Sequence, residues 1–424
     1  MSTETSLRTL SPGPVSAAEV AGVRRPVADA QMLPPRVFHD PAVFAYEQEQ
    51  WFARTWLCVG REEDVAEQGT YRLVRVAGES IILLRDRTGT INAFHNVCRH
   101  RGSTLLDEPA DGTTNARIVR IQCPYHAWIY ELDGTLKRAP HTEEIHDFVT
   151  TDQGLVSVRL ETWAGFLFLN LDPDAKPLAS YLDDLPAAVA HYPLASLLRA
   201  RRIEYEVNAN WKVIGENYSE CLHCPGVHPQ LNRLSPYDRG WNLESSGPWA
   251  GGWMELVDAA DTMSVDGGFH GRAALSGIGD ENTRRVYYIV LWPNMLLSLH
   301  PDYVMTHQVW PLDAERSHVV CEWLFEPGTM AQPGFDPSDA VDFWDLTNRQ
   351  DWAVCERQQE GTRSRSYVPG RYSLMEDMVH AFDLMAADRY ADDGVATRFP
   401  PRHDKWSDKR RLAPGARREP VGSA

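Results

Sequence analysis

Two short segments of this 424-residue chain carry side chains that bind metals. Cys98-x-His100 is followed by Cys123-x-x-His126, so that each segment offers one thiolate and one imidazole. Zinc fingers usually pair Cys with Cys and His with His within one segment, which differs from the pattern here. A [2Fe–2S] cluster with mixed ligands needs this pattern, because two thiolates bind one iron and two imidazoles bind the other. The spacing therefore favours an electron-carrying cluster of the Rieske type, and a structural zinc site is the alternative.

The two segments are separated by the 22 residues from 101 to 122. Gly102 and Pro124 are expected to allow tight backbone turns beside the cluster sulfurs. The middle of the spacer, residues 107–115, is polar and rich in turn-forming residues. This composition predicts a surface loop that leaves the ligands in place.

A second set of metal-binding side chains contains no sulfur donor. It begins with the pattern Glu220-x-x-His223-x4-His228. Residues 216–223 include no Gly or Pro and are predicted to be helical, which places Glu220 and His223 on neighbouring positions of one face. The Pro-Gly pair at positions 225 and 226 is expected to end this helix, so that the chain can carry His228 toward the same metal.

The third ligand of this site must come from a distant part of the sequence. Asp351 is the candidate, on a long helix that is predicted to begin near Ser338. Two neutral imidazoles and one carboxylate make the facial triad of non-heme Fe(II) oxygenases, which leaves open positions for O₂ and substrate. The alternative for Asp351 is a solvated acid on the helix surface. The alternative for the two His residues is a satisfied polar role inside the protein.

The number of cysteines indicates the cellular compartment in which the protein is expected. Seven cysteines, an odd number, argue against a disulfide framework and favour a reducing cytoplasm. Cys221 and Cys224 enclose His223 in a Cys-x-x-Cys pattern, and simple packing beside the second metal is expected for both. A redox pair or a zinc site is the alternative, although no second Cys pair follows.

The elements that must position these ligands divide the chain into two units. Short strands up to residue 171 predict a small all-β domain for the first metal site, which spans residues 35–171 with a preceding helix. Longer strands and helices at residues 172–399 predict a mostly antiparallel sheet with helices over one face, which carry the second site. The predicted fold class is therefore α+β, with a flexible arm at residues 1–34 and a loosely ordered basic tail at residues 400–424.

The charge and composition of the chain limit its partners. A net charge of −17 and a pI near 5.3 argue against nucleic acid and fit a basic docking partner. No apolar run is long enough to cross a membrane, and no signal peptide is expected. The sequence also lacks a Gly-x-Gly-x-x-Gly dinucleotide fingerprint. Electrons from NAD(P)H are therefore expected to arrive through a separate reductase.

Both motifs, in this order and at this distance, resemble those of the catalytic (α) subunits of Rieske non-heme iron oxygenases, the ring-hydroxylating oxygenase family. The resemblance extends over about residues 35 to 395. It also includes the run from Glu356 to Gly361, which is similar to the pattern that follows the family's iron carboxylate. The cluster ligands that the resemblance implies are Cys98, His100, Cys123 and His126. The ligands of a mononuclear Fe(II) that it implies are His223, His228 and Asp351.

Glu220 lies where this family places a bridging acid. In the family, that acid hydrogen-bonds an iron-ligand His of its own chain and a cluster His of the neighbouring subunit. Most members carry Asp at this position. The Glu here is a departure, and its extra methylene changes how far the carboxylate extends. It resembles the subgroup that oxidises quaternary ammonium compounds such as glycine betaine, carnitine and stachydrine. A bridge between chains implies a cyclic homo-oligomer, and a homotrimer is expected.

The resemblance implies an oxygenase component that receives electrons from a separate flavin or ferredoxin-type reductase. For a quaternary ammonium substrate, hydroxylation of an N-methyl group is expected to release formaldehyde. Aromatic faces would hold the cation, and the candidates in plausible regions are Trp241, Trp249, Trp253, Tyr303, Trp310 and Trp352. The alternatives are a hydroxylase or dioxygenase of an aromatic or other small molecule, and a Rieske electron-transfer protein.

Overall fold

The computed structural model describes residues 13–108 and 115–391. Most of the polar loop predicted at residues 107–115 and all of the basic tail predicted at residues 400–424 lie outside the described residues. The described chain combines antiparallel sheets with helices, which confirms the α+β class. Among these described residues, no helix has the length and apolar character that crossing a membrane requires.

The first half of the chain forms three small sheets. Their strands are β1 (Leu57–Arg61), β2 (Thr70–Val76), β3 (Glu79–Arg85), β4 (Ile91–His95), β5 (Ala116–Arg117), β6 (Ile121–Gln122), β7 (Ile129–Tyr130), β8 (Leu136–Arg138), β9 (Arg159–Trp163) and β10 (Phe166–Asn170). The sheet orders are β4-β3-β2-β5, β6-β7-β8 and β1-β10-β9, with every pair antiparallel. Apolar residues of the first two sheets share one core, and Cys98 and Cys123 are part of it.

The second half is built on one seven-stranded sheet. Its strands are β11 (Leu198–Val207), β12 (Gly240–Asn242), β13 (Trp249–Glu255), β14 (Arg285–Leu291), β15 (Met295–Leu299), β16 (Val304–Pro311) and β17 (Ser317–Phe325). Their order is β11-β17-β16-β15-β14-β13-β12, and all pairs are antiparallel, as the run of successive predicted strands indicates. Strands β14 to β17 are almost fully buried, because both of their faces are covered.

The described residues form ten α-helices, of which the three longest contact the larger sheet. They are α1 (Ala17–Val20), α2 (Pro41–Glu47), α3 (Leu178–Leu182), α4 (Leu185–Ala188), α5 (Trp211–Tyr218), α6 (Cys224–Val227), α7 (Pro229–Leu234), α8 (Pro327–Met330), α9 (Ser338–Thr362) and α10 (Asp377–Ala391). Helix α9 begins at the predicted residue and buries one face, since Ala340, Trp344, Asn348 and Cys355 recur at helical spacing. It packs against α5 and β11, while α5 also contacts β16 and α10.

The flexible arm predicted at residues 1–34 is wrong from residue 13 onward. Helix α1 contacts α10, and Val15, Val20, Val23 and Leu33 are all buried in the main core. These apolar side chains are interspersed among Pro, Ser and charged residues, so the composition of the segment does not indicate that they are buried. They are ordered because α10, distant in sequence, supplies an apolar surface for them. Residues 1–12 lie outside the described residues.

The sheet β1-β10-β9 joins the two halves. One side of β1 and β10 packs in the main core with Leu57 and Leu169, and the other packs with Cys58 and Phe168 in a second core that includes strands β14 and β15. The side chain of Asn294 fixes this contact, because it donates to the carbonyl of Cys58 at 2.9 Å and accepts from its amide at 3.0 Å. A sequence boundary near residue 171 therefore remains a proposal, although the cluster-bearing sheets are separate from this shared one.

Candidate metal centres and substrate cavity

The first four metal-binding side chains lie on two loops with the same backbone pattern. In each loop, the amide of the Cys donates to the carbonyl oxygen five residues later at 2.8 Å, and the amide four residues later donates back to the Cys carbonyl. The residue at this fourth position is left-handed, with φ of 71° at Gly102 and 56° at Ala127. The turn predicted at Gly102 is confirmed, whereas Ala127 and not Pro124 makes the left-handed turn of the second loop.

These loops bring two thiols and two imidazoles together. Cys98 and Cys123 are free and buried, at 3% and 2% exposure. The rings of His100 and His126 lie 4.6 Å apart between centroids, at the exposed end of the loops. The ring of His100 stacks on Trp128 at 4.9 Å, which fixes its direction. The arrangement has sulfur on the inside and imidazole toward the surface.

The donor set fits a Rieske cluster. Nδ1 of His126 is buried and has no hydrogen-bond partner in the described protein, as expected for an atom reserved for a metal. The hydroxyl of Tyr130 accepts from the amide of Arg99 at 3.1 Å and lies 3.3 Å from Sγ of Cys98. Because that hydroxyl accepts from the amide, its own proton can point to the sulfur, and hydrogen bonds to cluster sulfurs tune their potential. Tyr130 was not identified from sequence.

The helix predicted over residues 216–223 is wrong at its carboxyl end. Helix α5 begins at the N-cap Asn210, whose side chain accepts from the amide of Lys212 at 2.9 Å, and it ends at Tyr218. The carboxylate of Glu220 then accepts from the amide of Leu222, in place of a helical carbonyl. Glu220 therefore lies in a turn. The Pro-Gly pair at positions 225 and 226 lies inside the short helix α6 instead of ending a helix.

The second site brings together the three predicted side chains. Ligand atoms of His223, His228 and Asp351 lie within 4.8 Å of one another. Oδ1 of Asp351 is 2.8 Å from Nε2 of His228 and 3.3 Å from Nε2 of His223. Asp351 is on α9, while the two imidazoles flank α6, so the site forms only when these elements pack together. Two imidazoles and one carboxylate on one side of a metal fit a non-heme Fe(II) ion.

Outer partners orient both imidazoles. Nδ1 of His223 is 2.5 Å from Oε1 of Glu220, and Nδ1 of His228 is 2.7 Å from Oε1 of Gln350. In each ring, Nδ1 therefore contacts the outer partner and Nε2 points toward Asp351. Such an outer hydrogen bond is the usual way to fix the tautomer of a metal-binding His. Sequence reasoning missed Gln350, and its only signal was its position next to Asp351.

The electrostatics of the triad follow from these contacts. Burial opposes the charge of Asp351, but hydrogen bonds from His223 and His228 hold the pKa of its carboxyl below the ordinary value. Burial likewise favours a neutral His223, yet hydrogen bonds to Asp351 and Glu220 raise the pKa of this imidazole to about 10. In the metal-free chain the carboxylates thus stabilise an imidazolium, a positive charge where a metal cation would otherwise lie.

The prediction that Cys221 and Cys224 simply pack beside the metal is wrong. The two residues form a disulfide that encloses His223, with their Cα atoms 5.0 Å apart. The amide of Cys224 donates to the carbonyl of Cys221 at 3.1 Å, and this turn before α6 brings the two sulfurs within bonding distance. Of the alternatives, the structure supports the pairing of the two cysteines with each other.

The triad opens into a cavity with largely aromatic walls. Among the six aromatic residues expected near a cation, Trp241, Trp253 and Trp352 line it, whereas Trp249, Tyr303 and Trp310 do not. Other rings that line the cavity are Tyr218, Tyr237, Tyr288, His307 and Trp344. Two further carboxylates also face it: Glu220, and Asp377, which accepts from the side chain of Asn242 at 2.7 Å. The cavity therefore combines π faces with negative charge.

Comparisons with known proteins identify the domains that carry the two sites. A model of the Rieske [2Fe-2S] domain matches residues 55–152, and a model of the ring hydroxylating alpha subunit (catalytic domain) matches residues 194–392. The glycine betaine monooxygenase oxygenase subunit of Chromohalobacter salexigens is 31% identical over 372 residues, which cover 80% of this chain and 81% of that protein. The carnitine monooxygenase oxygenase subunit of Escherichia coli K12 is 33% identical over 356 residues, which cover 82% and 88%.

A solved structure shows the likeness in three dimensions. The quaternary ammonium Rieske monooxygenase CntA, in complex with its substrate gamma-butyrobetaine, superposes with a TM-score of 0.71 at 25% sequence identity. The match covers 89% of this chain and 99% of that one.

Proposed function

Because the chain belongs to the Rieske oxygenase family with a ring-hydroxylating α-subunit catalytic domain, we propose that it hydroxylates an N-methyl group of a quaternary ammonium compound. The chain is the oxygenase subunit of a multicomponent system, so it works with a reductase and a small-molecule substrate. We further propose that the reductase is of the flavin or ferredoxin type and that the enzyme acts in the cytoplasm.

The observation that carries this proposal is the position of the triad beside an aromatic cavity. Tryptophan faces attract quaternary ammonium groups through their quadrupole, and the attraction grows when water is excluded. Trp241, Trp253, Trp344 and Trp352 all line the cavity, together with the carboxylate of Asp377. A cation is therefore favoured over a neutral ring in this space. The curated relatives named above act on compounds of the same class.

We assign Cys98, His100, Cys123 and His126 as the cluster ligands, and His223, His228 and Asp351 as the ligands of the mononuclear iron. The burial of both thiols and the free Nδ1 of His126 support the first assignment, and the convergence of three ligand atoms supports the second. When bound, the cluster supplies single electrons and the iron supplies the activation of O₂.

The protein's own part is to bind, orient and shield the substrate. The overall reaction consumes one O₂, two electrons and two protons, and converts a trimethylammonium group into an N-hydroxymethyl group and water. This hemiaminal then loses formaldehyde and a proton, which leaves a tertiary amine. The aromatic walls hold the cation with one methyl group toward the triad. They also exclude water from the space around that methyl group.

We also propose that the active form is a homotrimer in which Glu220 links the two metal sites of neighbouring subunits. Oε1 of Glu220 already contacts Nδ1 of His223 at 2.5 Å, which is the contact that a bridging acid makes within its own chain. His100 and Tyr125 are exposed at the edge of the cluster loops, where a neighbouring chain could approach. The carboxylate of Glu220 would then hydrogen-bond the cluster imidazole of that chain.

Formaldehyde release tests the proposed function. Purified protein with cluster and iron is mixed with a surrogate reductase, NADH, O₂ and a panel of quaternary ammonium compounds that includes glycine betaine, carnitine, stachydrine and choline. We expect formaldehyde from at least one of them and none when O₂ is absent. If no compound yields formaldehyde while naphthalene or another aromatic consumes NADH and gains oxygen, the enzyme is a hydroxylase of a different substrate class.

A further inference from the structure

The cavity contains buried polar atoms that the protein itself leaves without a partner. Among the residues that line it, the described chain gives no hydrogen-bond partner to Nδ1 of His307, Nε1 of Trp352 or the hydroxyl of Tyr288. Buried polar groups are otherwise nearly always paired, because an unpaired one loses its bond to water without compensation. Such atoms in a substrate cavity indicate that a bound molecule supplies their missing hydrogen bonds.

The register of the sheet explains why His307 faces the cavity. His307 in β16 pairs with Leu296 in β15, and Ser298 two residues later pairs with Tyr288 in β14. Residues two apart on a strand share a face, so these four side chains lie on the same face of the sheet. Leu296 and Tyr288 also line the cavity. His307 therefore belongs to the cavity floor, together with its neighbours on two other strands.

A hydrogen-bond chain fixes which nitrogen of His307 carries its proton. Tyr205 donates its hydroxyl proton to Asp345 at 2.7 Å, so its oxygen can only accept from Nδ2 of Asn348, which lies 3.5 Å away. The amide oxygen of Asn348 is therefore the atom 3.1 Å from Nε2 of His307, and it accepts the Nε2 proton. Nδ1 is left as a lone pair that can only accept.

The imidazole of His307 stays neutral near neutral pH, so its Nδ1 remains a hydrogen-bond acceptor. Burial of the imidazole lowers its pKa to about 4, despite the opposing hydrogen bond to Asn348 and the charge of Asp351. His307 is 2% exposed. A neutral, buried acceptor in a cavity selects a ligand group that donates a hydrogen bond.

A donor lies beside this acceptor. The rings of Trp352 and His307 are perpendicular, with centroids 6.3 Å apart, and the indole N–H of Trp352 is one of the unpaired buried atoms. One group that both donates and accepts would satisfy the two residues together. A hydroxyl does so, because it gives its proton to Nδ1 and receives the indole proton on its oxygen.

We propose that His307 and Trp352 form a subsite for a hydroxyl group of the substrate, with His307 as the residue that determines specificity. This inference rests on the proposed function, since it adds a hydroxyl to the quaternary ammonium substrate that the aromatic walls and the triad receive. It predicts a hydroxyalkyl trimethylammonium compound in preference to the same compound without the hydroxyl.

The test uses two pairs of compounds that differ by one hydroxyl: choline with ethyltrimethylammonium, and carnitine with γ-butyrobetaine. Calorimetry under anaerobic conditions measures binding without turnover. In at least one pair, the hydroxylated compound is expected to bind about tenfold or more tightly, because its absence leaves two buried groups unpaired. His307→Phe keeps a ring but removes the acceptor, and it should bring the two affinities within about twofold.

Three controls separate the possible results. Trp352→Phe removes the donor and keeps a smaller aromatic face toward the cation, so any loss of cation binding affects both members of a pair. It should therefore also reduce the ratio, and the proposal can be tested even if His307→Phe does not fold. His318→Phe, which changes a His outside the cavity, should leave the ratio unchanged. Iron content and cluster absorption verify the integrity of each variant.

Equal binding of both members of each pair by the wild type, or a ratio that survives both substitutions, would overturn the hydroxyl subsite and indicate that water completes these atoms. Formaldehyde release from compounds without a hydroxyl would leave the proposed function standing in that case. If no quaternary ammonium compound binds or releases formaldehyde, the proposed function fails and the subsite falls with it.

Discussion

Nδ1 of His228 lies 2.7 Å from Oε1 of Gln350, and the next residue, Asp351, lies 2.8 Å from the opposite nitrogen of the same ring. Two adjacent residues of α9 thus hold both sides of one imidazole. Gln350 Oε1 is itself held, because it also accepts from Nε2 of Gln230 at 2.7 Å. The proposed iron ligand His228 is therefore oriented by the same helical turn that supplies the proposed carboxylate ligand.

Replacement of Gln350 should weaken iron binding without touching a ligand. Gln350→Leu removes the acceptor that fixes the tautomer of His228, and loss of such an outer partner typically lowers metal affinity about 10- to 100-fold. Metal analysis after dialysis against a weak chelator measures the effect. Gln350→Glu keeps an acceptor and is the matched control. Unchanged iron retention in the Leu variant would mean that packing alone orients the ring.

Glu220 should be needed for electron transfer and not for metal binding. We expect Glu220→Gln to retain cluster and iron but to slow turnover severely, because the amide cannot accept hydrogen bonds from two imidazoles in the same way. Glu244→Gln, on the surface, is the control. Iron content, cluster absorption and steady-state rate distinguish the two effects.

Mixed oligomers show whether this path runs between chains. A Cys98→Ser subunit lacks a working cluster but keeps Glu220 and the iron ligands, while a Glu220→Gln subunit keeps a working cluster. If electrons pass from one chain to the next, co-expression of the two inactive subunits should restore a substantial part of the activity. A path within one chain predicts no recovery, and that result would refute the trimer bridge.

The disulfide makes a direct prediction about free thiols. Five cysteines of the described chain are free, and Cys221 and Cys224 are joined. When denatured, unreduced protein is alkylated, mass spectrometry should therefore find every cysteine modified except Cys221 and Cys224. Since the disulfide closes the turn that holds His223, we expect Cys221→Ser to release iron about tenfold faster. Cys58→Ala, in the core, is the control, and equal release rates would show that the turn needs no covalent link.

A pair of buried acids should make stability fall as pH rises. Burial raises the pKa of Asp383 from 3.8 to about 7, and it also raises the pKa of its neighbour Glu216. Between about pH 4 and pH 7, the folded chain keeps a proton on Asp383 that the unfolded chain releases, so the free energy of unfolding decreases with rising pH.

Asp383→Asn tests this dependence. The amide still accepts from the hydroxyl of Tyr372, which lies 2.6 Å from Oδ2 of Asp383. Urea unfolding at several pH values should give a flatter profile for this variant than for the wild type. Asp342→Asn, an exposed change on α9, should keep the wild-type slope. Parallel slopes in all three proteins would contradict the proton on Asp383.

Sequence patterns revealed the parts of the site that depend on local spacing. Thiolate and imidazole at fixed short intervals define the cluster loops, and apolar periodicity defines α9 from Ser338. The extension of helix α5 to residue 223 failed because Ser219 donates its hydroxyl to the carbonyl of Gly215 and Glu220 accepts a backbone amide nearby. Such side-chain bonds compete with helical ones and are not visible in an apolar pattern.

Other parts depend on contacts between distant segments. Gln350 acquires its role only when α9 lies against His228, and Asn348 only when the same helix reaches His307 on β16. The order of residues 13–34 likewise depends on α10, more than three hundred residues later. No local signal marks these residues, because each is an ordinary polar or apolar side chain until the tertiary fold pairs it.

The ratio of formaldehyde formed to NADH consumed measures oxidative N-demethylation itself. With the preferred quaternary ammonium compound, we expect about one formaldehyde per NADH for the wild type, because two electrons reduce one O₂ during hydroxylation of one methyl group. Asp351→Ala should keep the cluster spectrum, lose the mononuclear iron and form no formaldehyde, while Asp342→Ala should behave as the wild type. NADH oxidation without formaldehyde in the iron-loaded wild type, or formaldehyde from Asp351→Ala, would contradict the proposed function.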